Sequence, residues 1–256
     1  MEVHTHTHLA SGETHTARKK WTHYFWEFLM LFLAVFCGFL AEYQLEHMLE
    51  NKREKKFMQS MIKDLQTDTV LANGALKGNL ERIEKYDSIL FILDQPAVEK
   101  MDSRNAYYLN VKFLTNWSPL DFARNTFTQL KNGGNMRMIR NQKVVDTLNW
   151  LDAFMLGMDN QKASVDKMMD QANDIAVEIF NTSYFREGGK FHGAGYILKS
   201  VQPPAFMTRD LSVFQKYANR VSALRGTMLS YIAQLKYYMK LSTQVMLLIK
   251  KEYHIK

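Results

Sequence analysis

The chain has 256 residues, of which 46% are hydrophobic, and it carries 33 basic and 26 acidic side chains. Its single Cys excludes a disulfide framework and a zinc site built from Cys ligands. The net charge of +7 lies beyond residue 41, because residues 1–41 hold three basic and three acidic side chains. Spread over residues 42–256, this excess is a weak indication of contact with nucleic acid or anionic lipid. We expect no nucleic-acid partner.

Residues 1–20 are rich in Thr, His and charge and too poor in apolar side chains to bury a core, so we expect a disordered tail. His4, His6 and His8 alternate with Thr, and His15 follows. Neutral imidazole is a good metal ligand, but an extended chain provides neither rigidity nor a second shell of hydrogen bonds. We therefore interpret the segment as a His-rich tail and assign the chain no metal site and no cofactor.

Residues 28–41 form an uninterrupted apolar run, FLMLFLAVFCGFLA. Extended back to Tyr24, the run covers residues 24–41, with Glu27 as its only charge. A helix of this length is about 27 Å long, close to the roughly 30 Å of a bilayer's hydrocarbon core. Aromatic side chains flank the run at the level expected for lipid headgroups, namely Trp21, Tyr24, Trp26 and Tyr43. The sequence therefore predicts a transmembrane helix over residues 21–43.

Two alternatives to a membrane anchor are a cleaved signal peptide and a buried core helix. A cleavage site needs small residues, whereas Ala41 is followed by Glu42, Tyr43 and Gln44. A core helix of a soluble protein is apolar on one side, whereas this run is apolar all round. Glu27 is either an interfacial carboxylate or a functional one within the membrane.

The basic residues on the two sides of the run nearly balance in number. Arg18, Lys19 and Lys20 precede it, and Lys52, Arg53, Lys55 and Lys56 follow it. The first cluster lies closer to the run, and long domains are translocated largely regardless of their charge. We therefore predict a single-pass protein of the inner cell membrane, with its tail inside and its C-terminal domain in the periplasm.

Three later stretches repeat apolar residues at alternating steps of four and three, which is the spacing of a coiled coil or a bundle helix. They run from Met58 to Leu93, from Val144 to Ile179 and from Phe214 to Ile249. Pro96 ends the first stretch, and Asn141 is the expected cap of the second. The three stretches predict an all-α domain over residues 44–256, an elongated antiparallel helical bundle with a core rich in Met and aromatic residues.

Two shorter helices are expected between the first and second stretches. One begins at a predicted cap, Ser103, and ends near Thr115. The other begins at Ser118, because Pro119 suits the first helical position and Asp121 follows as the acid of a capping box. We expect this helix to end at the pair Gly133-Gly134.

Between Asn181 and Thr208 the helical pattern breaks, and Gly, Pro and aromatic residues accumulate. Such long loops are often functional or disordered, and the aromatic content argues against disorder. We expect either a hairpin that caps one end of the bundle or a loop that binds a partner. Its candidate contact residues are Tyr184, Phe185, Phe191, His192 and Tyr196.

The sequence has no P-loop, GxSxG, HExxH or Rossmann motif, and we expect no enzymatic activity. The nearest approach to a phosphate cradle is KNGGNMRMIRN, residues 131–141, which lacks both the P-loop spacing and a preceding strand. Within it, Arg137 and Arg140 lie one turn apart. They suit either the binding of an anion or carboxylate, or a salt bridge or cap network between helices.

Four segments of the chain form a distinctive set: WEFLMLFLAVFCGFLAE, KDLQTDT, FTQLKNGGNMRMIRN and the closing IKKEYHI, of which the third is the most specific. In these segments the chain resembles an uncharacterised family of single-pass membrane proteins common in Bacteroidetes, whose members carry a domain of unknown function. The resemblance covers most of residues 20–256. It implies a membrane location, and it supplies no catalytic residues.

The sequence thus favours a membrane-anchored helical bundle with a structural or protein-interaction role. Its expected partners are the lipid bilayer and either another protein or further copies of the chain. The alternative is a ligand-sensing or signalling subunit, which would need a separate partner because so short a tail is a poor output module.

Overall fold

A computed structural model of the protein describes residues 20–181 and 204–255, and these residues contain helices and no strands. The all-α prediction is confirmed. The α-helices are α1 (Lys20–Leu93), α2 (Arg104–Leu109), α3 (Asn125–Asn132), α4 (Gln142–Ile179) and α5 (Leu211–Tyr253). A π-helical turn, Asn110–Leu114, continues α2, and two short 3₁₀ turns are Val98–Lys100 and Asn135–Met138.

The chain divides into two compact units, Met1–Arg53 and Glu54–Lys256, and α1 contributes residues to both. The described part of the first unit consists of the beginning of α1. Large apolar side chains are exposed along it, among them Trp21, Phe28, Phe32, Phe36, Leu45 and Leu49. Among the described residues, α1 is the one helix long and apolar enough to cross a membrane, and its most apolar stretch is not buried at all.

The second unit is a bundle in which α5 runs antiparallel to both α1 and α4. Along α1 and α5, Asp68 pairs with Tyr238 and Asp87 pairs with Arg225, so the residue numbers rise in one helix as they fall in the other. Along α4 and α5, Gln161 contacts Thr227 and Arg220 contacts Gln171 in the same opposed order. The predicted antiparallel arrangement of the long helices is confirmed.

The predicted apolar seams of α4 and α5 face the core. In α4 the buried residues are Val144, Leu148, Leu151, Met155, Met158, Val165, Met169, Ala172, Ala176 and Ile179. They are the predicted ones, and Lys162, the polar interruption in the pattern, is half-buried. The predicted seam of α5 is also buried, with Ile232 and Leu241 in addition. The 4-3 spacing identified these faces because it keeps one side of a helix directed at its neighbours.

Besides the three long helices, the bundle contains residues 94–141, which follow α1 as the second element and return along it. Hydrogen bonds join Asn79 to Ser118, Asp68 to Ala123 and Glu54 to Arg140, so this element runs opposite to α1. The bundle therefore has an up-down-up-down order: α1, residues 94–141, α4 and α5. Three elements are long helices, and the second is broken into short pieces.

The predicted start of the next helix at Ser118 is wrong, because residues 116–124 form an irregular segment and α3 begins only at Asn125. Partners from other elements hold the backbone of this segment, as described below, so its amides do not bond to helical carbonyls. The helix after Ser103 is present, but the hydroxyl of Ser103 donates to the carbonyl of Pro204 and makes no cap.

Other predicted helix ends are confirmed. The Asn141 side chain accepts a hydrogen bond from the Val144 amide and so caps α4. Gly133 follows the last residue of α3, and Gly134 has φ of +65°, a left-handed conformation that Gly adopts without steric cost. α1 ends at Leu93, three residues before Pro96.

Replacement of Leu148 by Ala should lower the free energy of unfolding by about 2–5 kcal/mol, because it leaves a cavity in a filled core. Leu148 is 0% exposed, whereas Leu156 on the same helix is 49% exposed. Leu156→Ala is therefore the matched control and should cost about 0.5 kcal/mol or less. Denaturant unfolding of the two variants, followed by circular dichroism, measures the difference. Equal losses would contradict the assignment of the core face of α4.

Candidate functional site

The densest group of polar contacts in the described residues surrounds the irregular segment, residues 116–124. Each of the long helices contributes to it. Side chains of α1 and α5 bind the backbone of the segment, and side chains of α4 bind its side chains. We call this group the polar seam and treat it as the candidate functional site. It comprises residues 116–124, Tyr238 of α5, whose hydroxyl binds Asp68, and the side chains that bind residues 116–124, which are Asp68, Asn79 and Arg82 of α1, Asp159, Lys162 and Asp166 of α4, and Tyr231 of α5.

Asn79 of α1 binds the segment near its start. Its amide nitrogen donates to the carbonyl of Ser118 at 2.8 Å, and its amide oxygen accepts from the Ser118 N–H at 3.3 Å. Asn79 is fully buried, so these two bonds replace the hydration that its amide loses on folding. Gly78 allows the close approach, since a Cβ at that position would lie 3.2 Å from the Ser118 hydroxyl.

Arg82, one turn after Gly78, extends the contact to Asn116. Its Nε donates to the Asn116 carbonyl and its Nη2 to the Asn116 side-chain oxygen, both at 3.0 Å. A planar guanidinium suits two acceptors side by side. Arg82 therefore fixes the position at which the segment leaves the π-helical turn.

Asp68 is the central carboxylate of the polar seam and is 1% exposed. Its Oδ1 accepts from the Ala123 N–H at 2.7 Å, and its Oδ2 accepts from the Tyr238 hydroxyl at 2.7 Å. Burial raises the pKa of Asp68, and these two hydrogen bonds oppose that shift. Asp64, one turn earlier, accepts from the Thr126 N–H at 3.1 Å in the first turn of α3.

α5 contributes two tyrosines. The Tyr231 hydroxyl accepts from the Leu120 N–H at 2.8 Å, and its ring meets the Trp117 ring edge-on with centroids 4.8 Å apart. Burial raises the pKa of Tyr231 to about 12. The pKa of Tyr238 is also raised, first by burial and then by the nearby charge of Asp68. Both hydroxyls therefore stay protonated at neutral pH.

α4 supplies charged partners along the outer side of the segment. Asp159 accepts from Arg124 at 2.6 Å, Lys162 donates to Asp121 at 2.6 Å, and Asp166 accepts from the Trp117 ring nitrogen at 2.6 Å. These contacts are partly exposed, so each adds little to stability by itself. Their spacing of about one helical turn aligns α4 with the segment.

Smaller polar contacts close the two ends of the bundle. At one end, Glu54 accepts from the Arg140 N–H at 2.9 Å and from the Tyr253 hydroxyl at 2.6 Å. At the other end, the Tyr217 hydroxyl donates to Asn110 at 2.6 Å, and the rings of Tyr107 and Phe180 meet edge-on at 5.0 Å. Buried polar groups therefore occur at both ends and in the middle of the bundle.

The chemistry of the polar seam is that of structural hydrogen bonding. The carboxylate of Asp68 is bonded to the Ala123 amide and the Tyr238 hydroxyl, and the amide of Asn79 is bonded to the backbone of Ser118. Within residues 20–181 and 204–255, no group of three or more His, Cys, Asp or Glu is placed to hold a metal ion.

The site residues predicted from the sequence lie away from the polar seam or outside the described residues. Arg137 is exposed in the second 3₁₀ turn, and Arg140, also exposed, contacts Glu54 through its backbone N–H. Both lie at the end of the bundle that holds Glu54 and Tyr253, and an anion site between them stays a prediction. Tyr184, Phe185, Phe191, His192 and Tyr196 lie outside the described residues, as do His4, His6, His8 and His15.

Sequence reasoning missed Asp68 and Glu54. The sequence held a signal for Asp68, since the apolar residues Met61, Leu65, Ala72 and Ala75 are spaced so that Asp68 fills the gap in their 4-3 pattern. All four of these apolar residues are buried. Glu54 likewise lies four residues before the buried Met58. An acidic residue at a core position predicts a buried hydrogen-bonding role.

The chain matches no family model, no curated protein and no solved structure.

Asp68→Ala should destabilise the bundle by about 2–5 kcal/mol, because it leaves the Ala123 N–H and the Tyr238 hydroxyl buried without an acceptor. Asp68→Asn keeps an acceptor for the amide and offers Tyr238 a donor, so it should cost about 1 kcal/mol or less. Denaturant unfolding of both variants gives the comparison. If the Asn variant is as unstable as the Ala variant, the hydrogen bonds assigned to Asp68 are wrong.

A comparison of the native chain with Asp68→Asn at several pH values tests the pKa of Asp68. A raised pKa means that folded Asp68 binds its proton more tightly than unfolded Asp68 does, so its contribution to stability declines as pH rises through that pKa. The stability of the native chain relative to Asp68→Asn should therefore fall as pH rises above the ordinary value of 3.8. A relative stability that increases with pH would contradict the shift.

Proposed function

We propose that the chain is a membrane-anchored protein whose helical bundle has a structural or protein-interaction role and no catalytic activity. The observation that carries the proposal is the exposed apolar surface at the beginning of α1. Large side chains that are more than half exposed include Trp21, Trp26, Phe28, Leu31, Phe32 and Val35. Apolar area in water costs roughly 25 cal/mol per Å², so a surface of this size needs lipid or protein around it.

The aromatic rings on this stretch support a lipid environment. Phe28, Phe32 and Phe36 stack along one side of the helix, with centroids 6.2 and 5.9 Å apart. Glu27 lies beside His23 at 3.5 Å and near Trp26, which suits a carboxylate at the headgroup level. These features favour an anchor over a core helix, since a core helix would be covered by its own protein.

The polar seam supports a structural role for the bundle. Enzyme sites present titratable groups to a cleft, whereas Asp68, Asn79 and Tyr231 are bonded to the backbone of residues 116–124. The alternative, a ligand-sensing subunit, stays a prediction.

The membrane in question is, in this proposal, the inner cell membrane, with the bundle in the periplasm and a protein partner or further copies of the chain bound to it. The support is the basic cluster Arg18 to Lys20 close to the apolar run. The resemblance to single-pass proteins of Bacteroidetes agrees with a membrane location.

Anchoring is tested by extracting membranes with alkaline carbonate. The native chain should stay in the membrane pellet, and Leu31→Arg/Val35→Arg should move to the soluble fraction, since each Arg costs roughly 2.5–3.5 kcal/mol at the centre of a span. Val70→Arg/Leu71→Arg is the matched control, because it makes the same changes at exposed positions of α1 within the bundle. Release of the native chain by carbonate would overturn the anchor.

Orientation is tested by labelling a cysteine on the bundle. Lys216 is exposed on α5, so Lys216→Cys in a Cys37→Ser background presents one accessible thiol. A membrane-impermeant maleimide should label it in spheroplasts before lysis. Labelling only after lysis would place the bundle in the cytoplasm.

A further inference from the structure

The two ends of the bundle differ in charge. The end that holds Glu54 comprises residues 54–64, 126–152 and 242–255, and it carries nine basic and five acidic residues. The opposite end comprises residues 83–115, 170–181 and 204–222, and it carries seven basic and nine acidic residues. The basic excess therefore lies at the Glu54 end, which we call the basic end.

The basic side chains of this end come from distant parts of the sequence. They are Lys55, Lys56 and Lys63 of α1, Lys131, Arg137 and Arg140 of the second element, Lys143 of α4, and Lys250 and Lys251 of α5. The hydrogen bonds of Glu54 to the Arg140 amide and the Tyr253 hydroxyl hold three of these elements together.

Three of the acidic residues at this end are at least partly buried: Glu54 and Asp64 accept backbone N–H groups, and Asp152 accepts from Lys131. The other two, Asp146 and Glu252, are exposed and accept from Gln142 and Asn141. Against these two exposed acids stand the exposed Lys55, Lys56, Arg137, Lys143 and Lys251. The surface that this end presents to solvent is therefore dominated by positive charge.

Local helix energetics explain only part of this pattern. Lys250 and Lys251 lie in the last turn of α5, where the helix dipole favours cations. Lys143 is the second residue of α4, where the dipole disfavours a cation, and α4 has no acidic residue in its first turn. The helix dipole therefore does not account for the positive charge of Lys143, which suits a role in binding an anion.

The basic end is also the end nearest along the chain to the apolar run. Residues 42–53 separate the run from Glu54, whereas residues 42–92 separate it from Leu93 at the opposite end of the bundle. A short separation along the chain raises the local concentration of lipid headgroups at the basic end, so a weak attraction suffices for docking.

An exposed apolar side chain adds to the match with a lipid surface. Leu247 is 63% exposed and lies one turn before Lys250 and Lys251, on the same side of α5. Apolar residues next to Lys are typical of protein surfaces that rest at the boundary between headgroups and acyl chains.

We propose that the basic end of the bundle docks on the anionic phospholipid headgroups of the membrane that holds the anchor. This inference rests on the anchorage proposed above and adds a second contact with the bilayer. The recognised chemistry is the phosphate-bearing, negatively charged lipid surface, and salt weakens the contact because it screens exposed charges.

The test uses the full chain in nanodiscs of phosphatidylcholine, and in nanodiscs of equal parts phosphatidylcholine and phosphatidylglycerol. Hydrogen exchange is followed in peptides covering residues 131–143 and 247–255. Exchange should slow several-fold with phosphatidylglycerol, and the effect should disappear in 1 M salt, where the Debye length is about 3 Å. Because both leaflets contain the anionic lipid, the result does not depend on orientation.

Arg137→Gln/Lys143→Gln/Lys251→Gln should abolish the protection. The matched control is Lys100→Gln/Arg209→Gln/Lys216→Gln, which removes the same charge from exposed residues of the opposite end and should keep the protection. Exchange that is equal in the two kinds of nanodisc, or equal loss in both triple variants, would overturn the docking. If phosphatidylglycerol does not slow exchange, but RNA added to phosphatidylcholine nanodiscs does, the basic end binds nucleic acid and the docking on lipid is overturned. Failure of the native chain to enter nanodiscs at all would instead overturn the anchor, which separates the two proposals.

Discussion

The bundle depends on the hydrogen bonds that satisfy the backbone of residues 116–124. An α-helix satisfies its own N–H and C=O groups, whereas an irregular segment at a core cannot, and each unpaired buried group costs about 1–3 kcal/mol. Asn79, Asp68 and Tyr231 provide the partners from two different helices. Their positions fix the register between α1, the segment and α5. Apolar packing alone fixes this register less well, because one helix can slide along its neighbour by one heptad and still bury apolar residues.

Buried hydrogen-bonding groups and exposed basic residues occupy different parts of the bundle. The polar seam lies inside and uses its charges on the chain's own backbone, while the basic excess lies outside at one end. Two carboxylates at the basic end, Glu54 and Asp64, bind backbone amides inside the bundle, and nearby Lys and Arg face solvent. A single set of hydrogen bonds therefore stabilises the fold and shapes the surface proposed to meet the lipid.

The long helices could be predicted because their cores repeat at the heptad spacing, and α4 shows this in every buried position. The irregular segment could not, since Ser118, Pro119 and Asp121 form a good local signal for a helix start. The competing interactions come from distant positions, because Asn79 and Tyr231 reach the segment across sequence separations of 39 and 111. A local pattern carries no information about partners so far away. Asn79 and Tyr231 lie on the predicted apolar seams, but the spacing does not predict that their side chains bind the backbone of residues 116–124.

By itself, the sequence determined the helical class, the exposed apolar run and the core faces of α4 and α5, because these follow from the order and period of apolar residues along one helix. It also determined that the positive charge lies beyond the run. Only the tertiary structure decided that this charge gathers at one end, since Arg137, Lys143 and Lys251 are joined there by folding and not by sequence. It likewise decided that Asp68 is buried, because the cost of that burial is offset by Ala123 and Tyr238, which only the packed bundle brings within 2.7 Å.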